Sequence, residues 1–128
     1  MKHAPTIVGI LLGLLFIMSA VVVLFNLIPP DKMPKPATPE AAMFMGALGP
    51  TGYMTFVKVC ELLGGILVAI PRTRNIGLLF LGPIILNILA FHIFISKEGL
   101  LSPMLIGIVV LALYLLVAGR KAFAGLLN

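Results

Sequence analysis

Two side chains of opposite charge interrupt an otherwise uncharged apolar stretch of this sequence. Lys58 and Glu61 stand three residues apart within residues 53–70. On an α-helix this spacing places them about 60° apart, on one face, where their charges can offset each other. A charged side chain at the centre of a bilayer costs about 2.5–3.5 kcal/mol. The pair therefore predicts a polar site that other helices shield from lipid.

Two further polar side chains, Asn87 and His92, lie in the next apolar stretch. At about 1.5 Å per residue from the turn at 71–75, Glu61 lies roughly 15 Å and Asn87 roughly 18 Å along their segments, with His92 further out. Asn87 and His92 are about 140° apart on an ideal helix. They can face one point only if the helix is distorted, and Pro83 within it can supply a kink.

These positions predict a candidate ligand-binding pocket in the outer half of the molecule, which is the half away from the turn at 71–75. Its members are Glu61, Lys58, Asn87 and His92, with Asn26 near its outer edge. The alternative is structural: the ion pair locks helix packing, Asn87 hydrogen-bonds a neighbouring helix, and His92 meets water at the membrane surface. Both interpretations remain open from the sequence.

Composition argues against several other kinds of site. Cys60 is the only cysteine, so an intrachain disulfide is excluded, and we expect this thiol to pack as a small apolar group. One glutamate and one histidine do not make a metal site. The only aspartate, Asp31, lies in a proline-rich loop, away from any Ser-His-Asp arrangement. The nine basic residues are scattered, without the basic stripe of a nucleic-acid binder.

The elements that position the site are predicted from the apolar composition. The chain has 128 residues, of which 61% are hydrophobic and 10% charged, against about 45–50% and about 25% in soluble domains. Segments of about 20 apolar residues can cross a bilayer. Four such segments, with the loops between them, take up nearly the whole chain. Gly9 with Gly13 and Gly65 with Ala69 have the spacing of closely packed membrane helices. We predict one all-α domain, residues 1–128, forming a four-transmembrane-helix bundle with helices at about 6–28, 53–70, 76–95 and 101–117.

The basic residues predict the orientation of these helices. With the N-terminus in the cytoplasm, the inner loops hold five basic and no acidic residues, which are Lys2, Arg72, Arg74, Arg120 and Lys121. The outer loops hold a balanced set, which is Lys32, Lys35, Lys97, Asp31, Glu40 and Glu98. Because cytoplasmic loops carry the excess of Lys and Arg, we predict both ends inside. The first segment is expected to be an uncleaved anchor, longer than a signal peptide core.

The connection between the first two segments is rich in proline. Residues 29–39 contain five prolines, which forbid a regular helix and predict a loop. Residues 40–48 have two interpretations. They form a short helix at the membrane interface, with Pro39 near its start, or a loop that packs over the mouth of the bundle.

Two motifs carry a family resemblance. KVCELLGG at 58–65, followed by PRTR at 71–74, resembles the second-helix signature of DoxX-family membrane proteins, Glu-x-x-Gly-Gly and a Thr-Arg turn. PIILNILAFH at 83–92 is similar to the Pro-x-x-x-Asn-x-x-x-Phe-His pattern of a DoxX-like branch. The resemblance implies a four-helix membrane bundle in a bacterial cytoplasmic membrane, and for some members a partnership with redox enzymes.

Three functions remain open. The first is an accessory subunit of a membrane redox system, in which Glu61, Lys58 and His92 line a pocket for a quinone and Glu61 exchanges a proton. The second is binding or transport of a small molecule or lipid without catalysis. The third is a structural or assembly factor. Because the chain has no cofactor-anchoring motif, we expect it not to be an enzyme alone but to work with a membrane or soluble redox partner.

Overall fold

The computed structural model describes residues 3–127, and all of their regular structure is helical. In chain order the α-helices are α1 (Ala4–Leu24), α2 (Pro39–Leu48), α3 (Tyr53–Ala69), α4 (Arg74–Ala90), α5 (Pro103–Ala118) and α6 (Arg120–Ala124). Short 3-10 turns occupy Pro30–Lys32, Pro71–Thr73 and Gly125–Leu127, and a π-helical turn occupies Phe91–Ile95. The prediction of an all-α chain is confirmed.

The first helix ends earlier than predicted. It stops at Leu24 rather than at Ile28 because Asn26 adopts a left-handed conformation, with φ 52°. Asparagine tolerates this region better than most residues. The Leu27 N–H then donates to the Val22 carbonyl at 3.0 Å, which closes the helix in a Schellman motif. Asn26, which was expected near the edge of a pocket, thus serves to terminate α1.

The third and fourth apolar segments also differ from the prediction at their ends. The third begins at Arg74, and its α-helix ends at Ala90 before the π-helical turn. In this wider turn the Ser96 N–H donates to the Phe91 carbonyl at 2.9 Å. The fourth begins at Pro103, where proline is accommodated because the first helical N–H has no intrahelical partner.

Residues 39–48 form a helix, so the helical interpretation of this stretch is confirmed. Thr38 caps α2, since its Oγ1 accepts a hydrogen bond from the Ala41 N–H at 3.0 Å, and Pro39 follows as the first helical residue. The Thr38 hydroxyl also donates to the Ile95 carbonyl at 2.7 Å. This bond ties the start of α2 to the π-helical turn. The axes of α2 and α3 differ by 82°.

The four long helices contact one another in a closed cycle. Helices α1 and α4 each pack against both α3 and α5. Gly9 of α1 lies against Val68 of α3, whereas Ser19 meets Lys58, so these two helices are antiparallel. All four contribute to one core, which comprises Leu12, Phe16, Val68, Leu78, Leu81, Ile85, Ala112 and Leu115.

Apart from Lys58 and Glu61 within α3, the charged residues divide between two ends of the molecule. The basic end comprises the start of α1, the turn between α3 and α4, and residues 118–124. Arg74 donates to Thr6 Oγ1 at 3.2 Å there. Its described basic residues are Arg72, Arg74, Arg120 and Lys121, with no acidic residue among those described. Lys2, the fifth residue predicted for this side, lies outside the described residues. The loop end comprises residues 25–38, α2 and residues 96–102. It carries three basic and three acidic residues, which are Lys32, Lys35, Lys97, Asp31, Glu40 and Glu98.

Two helical stretches, Ala4–Leu24 and Pro71–Ile95, are long and apolar enough to cross a membrane. If α2 and α3 together form one span despite the bend between them, the structure has a third such stretch. Helix α5 is apolar but has 16 residues, or about 24 Å at 1.5 Å per residue. The hydrocarbon core of a bilayer is about 30 Å thick. Large apolar side chains on the outer faces suit contact with lipid.

Candidate functional site

The two charged residues of α3 form an ion pair inside the helical assembly. Lys58 Nζ lies 2.9 Å from Glu61 Oε2, and the two side chains are 15% and 4% exposed. Taking a single charge out of water is costly unless an opposite charge compensates it. Each member of the pair therefore depends on the other for its burial.

Ser19 of α1 completes the polar cluster. Lys58 Nζ donates a hydrogen bond to Ser19 Oγ at 3.1 Å, which joins α3 to α1. Sequence reasoning expected the pair to face the third segment and missed this contact. A signal was present, because Ser19 is the only polar side chain between Thr6 and Asn26, but the sequence alone did not reveal which helices are neighbours.

Glycines allow α1 and α4 to approach α3 beside the ion pair. A Cβ at Gly13 of α1 would stand 2.5 Å from the Gly65 carbonyl oxygen, and one at Gly64 would stand 2.7 Å from the Leu81 side chain of α4. Gly64, Gly65 and Glu61 all lie on the buried face of α3. The Gly-Gly step thus lets α3 contact α1 on one side and α4 on the other. This close packing buries the carboxylate.

The structure does not bring Asn87 to the ion pair. Its side chain is exposed, and Nδ2 donates to the Pro83 carbonyl at 2.9 Å on the same helix. The amide therefore donates to a carbonyl one turn earlier on its own helix. Neither the predicted pocket position nor the predicted bond to a neighbouring helix is seen among the described contacts of Asn87.

His92 lies apart from the ion pair, in the π-helical turn at the loop end. Its Nδ1 is 2.9 Å from the Ile88 carbonyl oxygen. Because a carbonyl can only accept, Nδ1 carries a proton in this contact, and Nε2 of the neutral ring is left as an acceptor. The half-buried ring packs edge-on against Phe91, with centroids 5.6 Å apart.

Aromatic and hydroxyl side chains surround the π-helical turn. Phe44 of α2 packs on Phe91 with ring centroids 5.2 Å apart. Ser96 is 3% exposed, and its Oγ has no hydrogen-bond partner among the described residues. His92 therefore belongs to a second polar locality, separate from the Lys58–Glu61 pair.

No family model, curated protein or solved structure matches this chain. The likeness to DoxX proteins remains a hypothesis that depends on the two motifs.

Chemically, the chain offers a buried carboxylate–ammonium pair and a histidine with an available acceptor nitrogen. In residues 3–127, no three His, Cys, Asp or Glu side chains cluster as metal ligands would.

Proposed function

We propose that this chain is a four-span integral membrane protein of a bacterial cytoplasmic membrane, of the DoxX type, that acts as an accessory subunit of a quinone-linked redox system. The observation that carries the proposal is the Lys58–Glu61 pair, held between apolar helices with Ser19 as its third member. Ionisable residues within membrane helices are rare and commonly belong to proton relays or ligand sites.

Reduction of a quinone to a quinol consumes two electrons and two protons. A redox partner protein supplies the electrons, because this chain has no cofactor-anchoring motif. The chain's part is to hold the quinone and to pass protons. Glu61, once protonated, is the candidate donor of a proton to a quinone oxygen, and His92 Nε2 is the candidate group that takes up a proton at the loop end. Lys58 holds the Glu61 carboxylate in place through their 2.9 Å contact.

The charge distribution supports the four-span arrangement. Four described basic residues lie at the basic end without an acidic neighbour, and the loop end is balanced. By the positive-inside rule, this distribution supports a basic end that faces the cytoplasm. With α3 across the bilayer, the 82° bend sets α2 nearly parallel to the membrane plane. Helix α3, with 17 residues, and helix α5, with 16, are both short for a span, and local thinning of the bilayer or interfacial side chains accommodate them.

Labelling of single cysteines tests this topology. In a Cys60→Ala background, Lys97→Cys at the loop end should react with a membrane-impermeant maleimide added to intact spheroplasts. Lys121→Cys at the basic end should react only after permeabilisation. The Cys60→Ala protein without a new cysteine is the control and should stay unlabelled. Labelling of Lys121→Cys from outside would contradict the orientation.

Quinone reduction by membranes that contain the protein tests the redox role. We expect Glu61→Gln to lower the rate of decylubiquinone reduction by about 100-fold or more, the scale of lost acid–base catalysis. Glu98→Gln is the matched control, because it makes the same chemical change at an exposed loop position and should leave the rate unchanged. Membrane levels of both variants are compared by immunoblot.

A structural role is the second candidate, favoured by the hydrogen bond from Lys58 to Ser19, which already joins two helices. Under this alternative, Glu61→Gln at normal membrane levels leaves quinone reduction unchanged, and that result would remove Glu61 from the mechanism. Decylubiquinone that binds the purified protein without any effect on membrane redox activity would instead favour a binding or transport function.

A further inference from the structure

A cavity opens at the basic end, between the start of α4 and the corner that joins α5 to α6. Its volume is about 450 Å³, and it is open to the surface. The lining residues are Asn75, Ala118, Gly119, Arg120, Lys121 and Ala122. The helices meet closely here, since a Cβ at Gly119 would stand 2.7 Å from Asn75 Oδ1.

The polar groups of the lining suit an anion. Arg120 uses Nη1 to donate to the Val117 carbonyl at 2.9 Å, which leaves most of the five guanidinium N–H donors free for a ligand. Lys121 adds an exposed ammonium, and Asn75 adds an amide. Guanidinium and ammonium groups are the usual partners of phosphate oxygens in proteins.

Further positive charge lies at the same end without an acidic partner. Arg72 is exposed, and Arg74 is partly buried, with an Nε that has no hydrogen-bond partner among the described residues. The acidic residues Asp31, Glu40 and Glu98 all belong to the loop end. The cavity therefore lies among basic side chains whose field attracts anions.

We propose that this cavity binds the phosphate of an anionic phospholipid in the cytoplasmic leaflet. Beside it, α5 presents a row of exposed apolar side chains, Val110, Leu113 and Val117, along which acyl chains can lie. Basic pockets at the cytoplasmic ends of membrane helices bind such headgroups. The inference uses the four-span arrangement proposed above and is independent of the redox role, so loss of one does not entail loss of the other.

Lipid binding to the purified protein tests this site. The protein in an uncharged detergent is titrated with dioleoyl phosphatidylglycerol, dioleoyl phosphatidylcholine or inorganic phosphate, and bound ligand is counted by native mass spectrometry. We expect the anionic lipid to bind more tightly than the neutral one. Arg120→Gln/Lys121→Gln should weaken it roughly thirtyfold, about fivefold for each basic side chain near an anionic headgroup.

The matched control is Lys32→Gln/Lys35→Gln, which removes the same charge at the loop end and should keep the affinity. Helical circular dichroism on heating, without lipid, verifies that both double variants are folded. Equal weakening in both variants would overturn the proposal in favour of general charge attraction. Equal binding of the two lipids would overturn it as well. Inorganic phosphate binding as tightly as the anionic lipid would assign the cavity to a soluble anion.

Discussion

Replacement of Glu61 by leucine should lower the free energy of unfolding by about 3–5 kcal/mol, the cost of leaving one member of a buried ion pair alone. Lys58 would lose the carboxylate 2.9 Å away, and the Ser19 hydroxyl would be its one remaining partner among the described residues. The measurement is loss of helical circular dichroism during titration of the detergent-solubilised protein with sodium dodecyl sulfate.

The double variant Lys58→Met/Glu61→Leu supplies the control. Because both charges are removed together and side chains of similar size replace them, most of the lost stability should return. A double variant as unstable as Glu61→Leu would contradict the ion pair as the cause. The same protein separates the two proposed roles: a stable double variant without quinone-linked activity supports proton transfer, and one with full activity supports a purely structural pair.

Replacement of Gly13 by alanine should destabilise the protein by about 2 kcal/mol, as overpacking of a close contact does. The added Cβ would stand 2.5 Å from the Gly65 carbonyl oxygen and 2.9 Å from the Ala69 Cβ. The nearest atom belongs to the backbone and cannot rotate away, so α1 and α3 must separate. The loss should appear in the same unfolding titration.

Gly107→Ala is the matched control for this variant. Gly107 lies within α5 with open space where a Cβ would go, and alanine is the better helix former by up to about 1 kcal/mol. The same substitution should therefore leave stability unchanged or raise it. A loss of similar size at both positions would show that the contact between α1 and α3 does not carry the effect.

The long helices could be predicted from the sequence, but their ends could not be placed as well. Predominantly apolar composition over about 20 residues identified each long segment, because few other structures accommodate it. Asn26 appeared compatible with helix, yet its left-handed conformation ends α1 at Leu24. The π-helical turn at 91–95 likewise depends on tertiary contacts, including the bond from Thr38 to the Ile95 carbonyl, which no local pattern reveals.

The candidate site was predictable only where its geometry lies within one helix. Lys58 and Glu61 are one turn apart, so helical spacing alone predicts that they can meet. The bond to Ser19 depends on which helices are neighbours, and that arrangement is decided by close contacts at glycines such as Gly13. Asn87 was expected to face another helix, but the carbonyl of Pro83 offers a nearer partner.

The location of both charges on a single helix has a consequence for biogenesis. Lys58 and Glu61 can neutralise each other as soon as α3 is helical, before it docks onto α1. In the proposed four-span arrangement, α3 would enter the bilayer without net charge, at a lower insertion cost than an isolated charge would impose. Docking onto the hydroxyl of α1 then follows as a later step within the lipid.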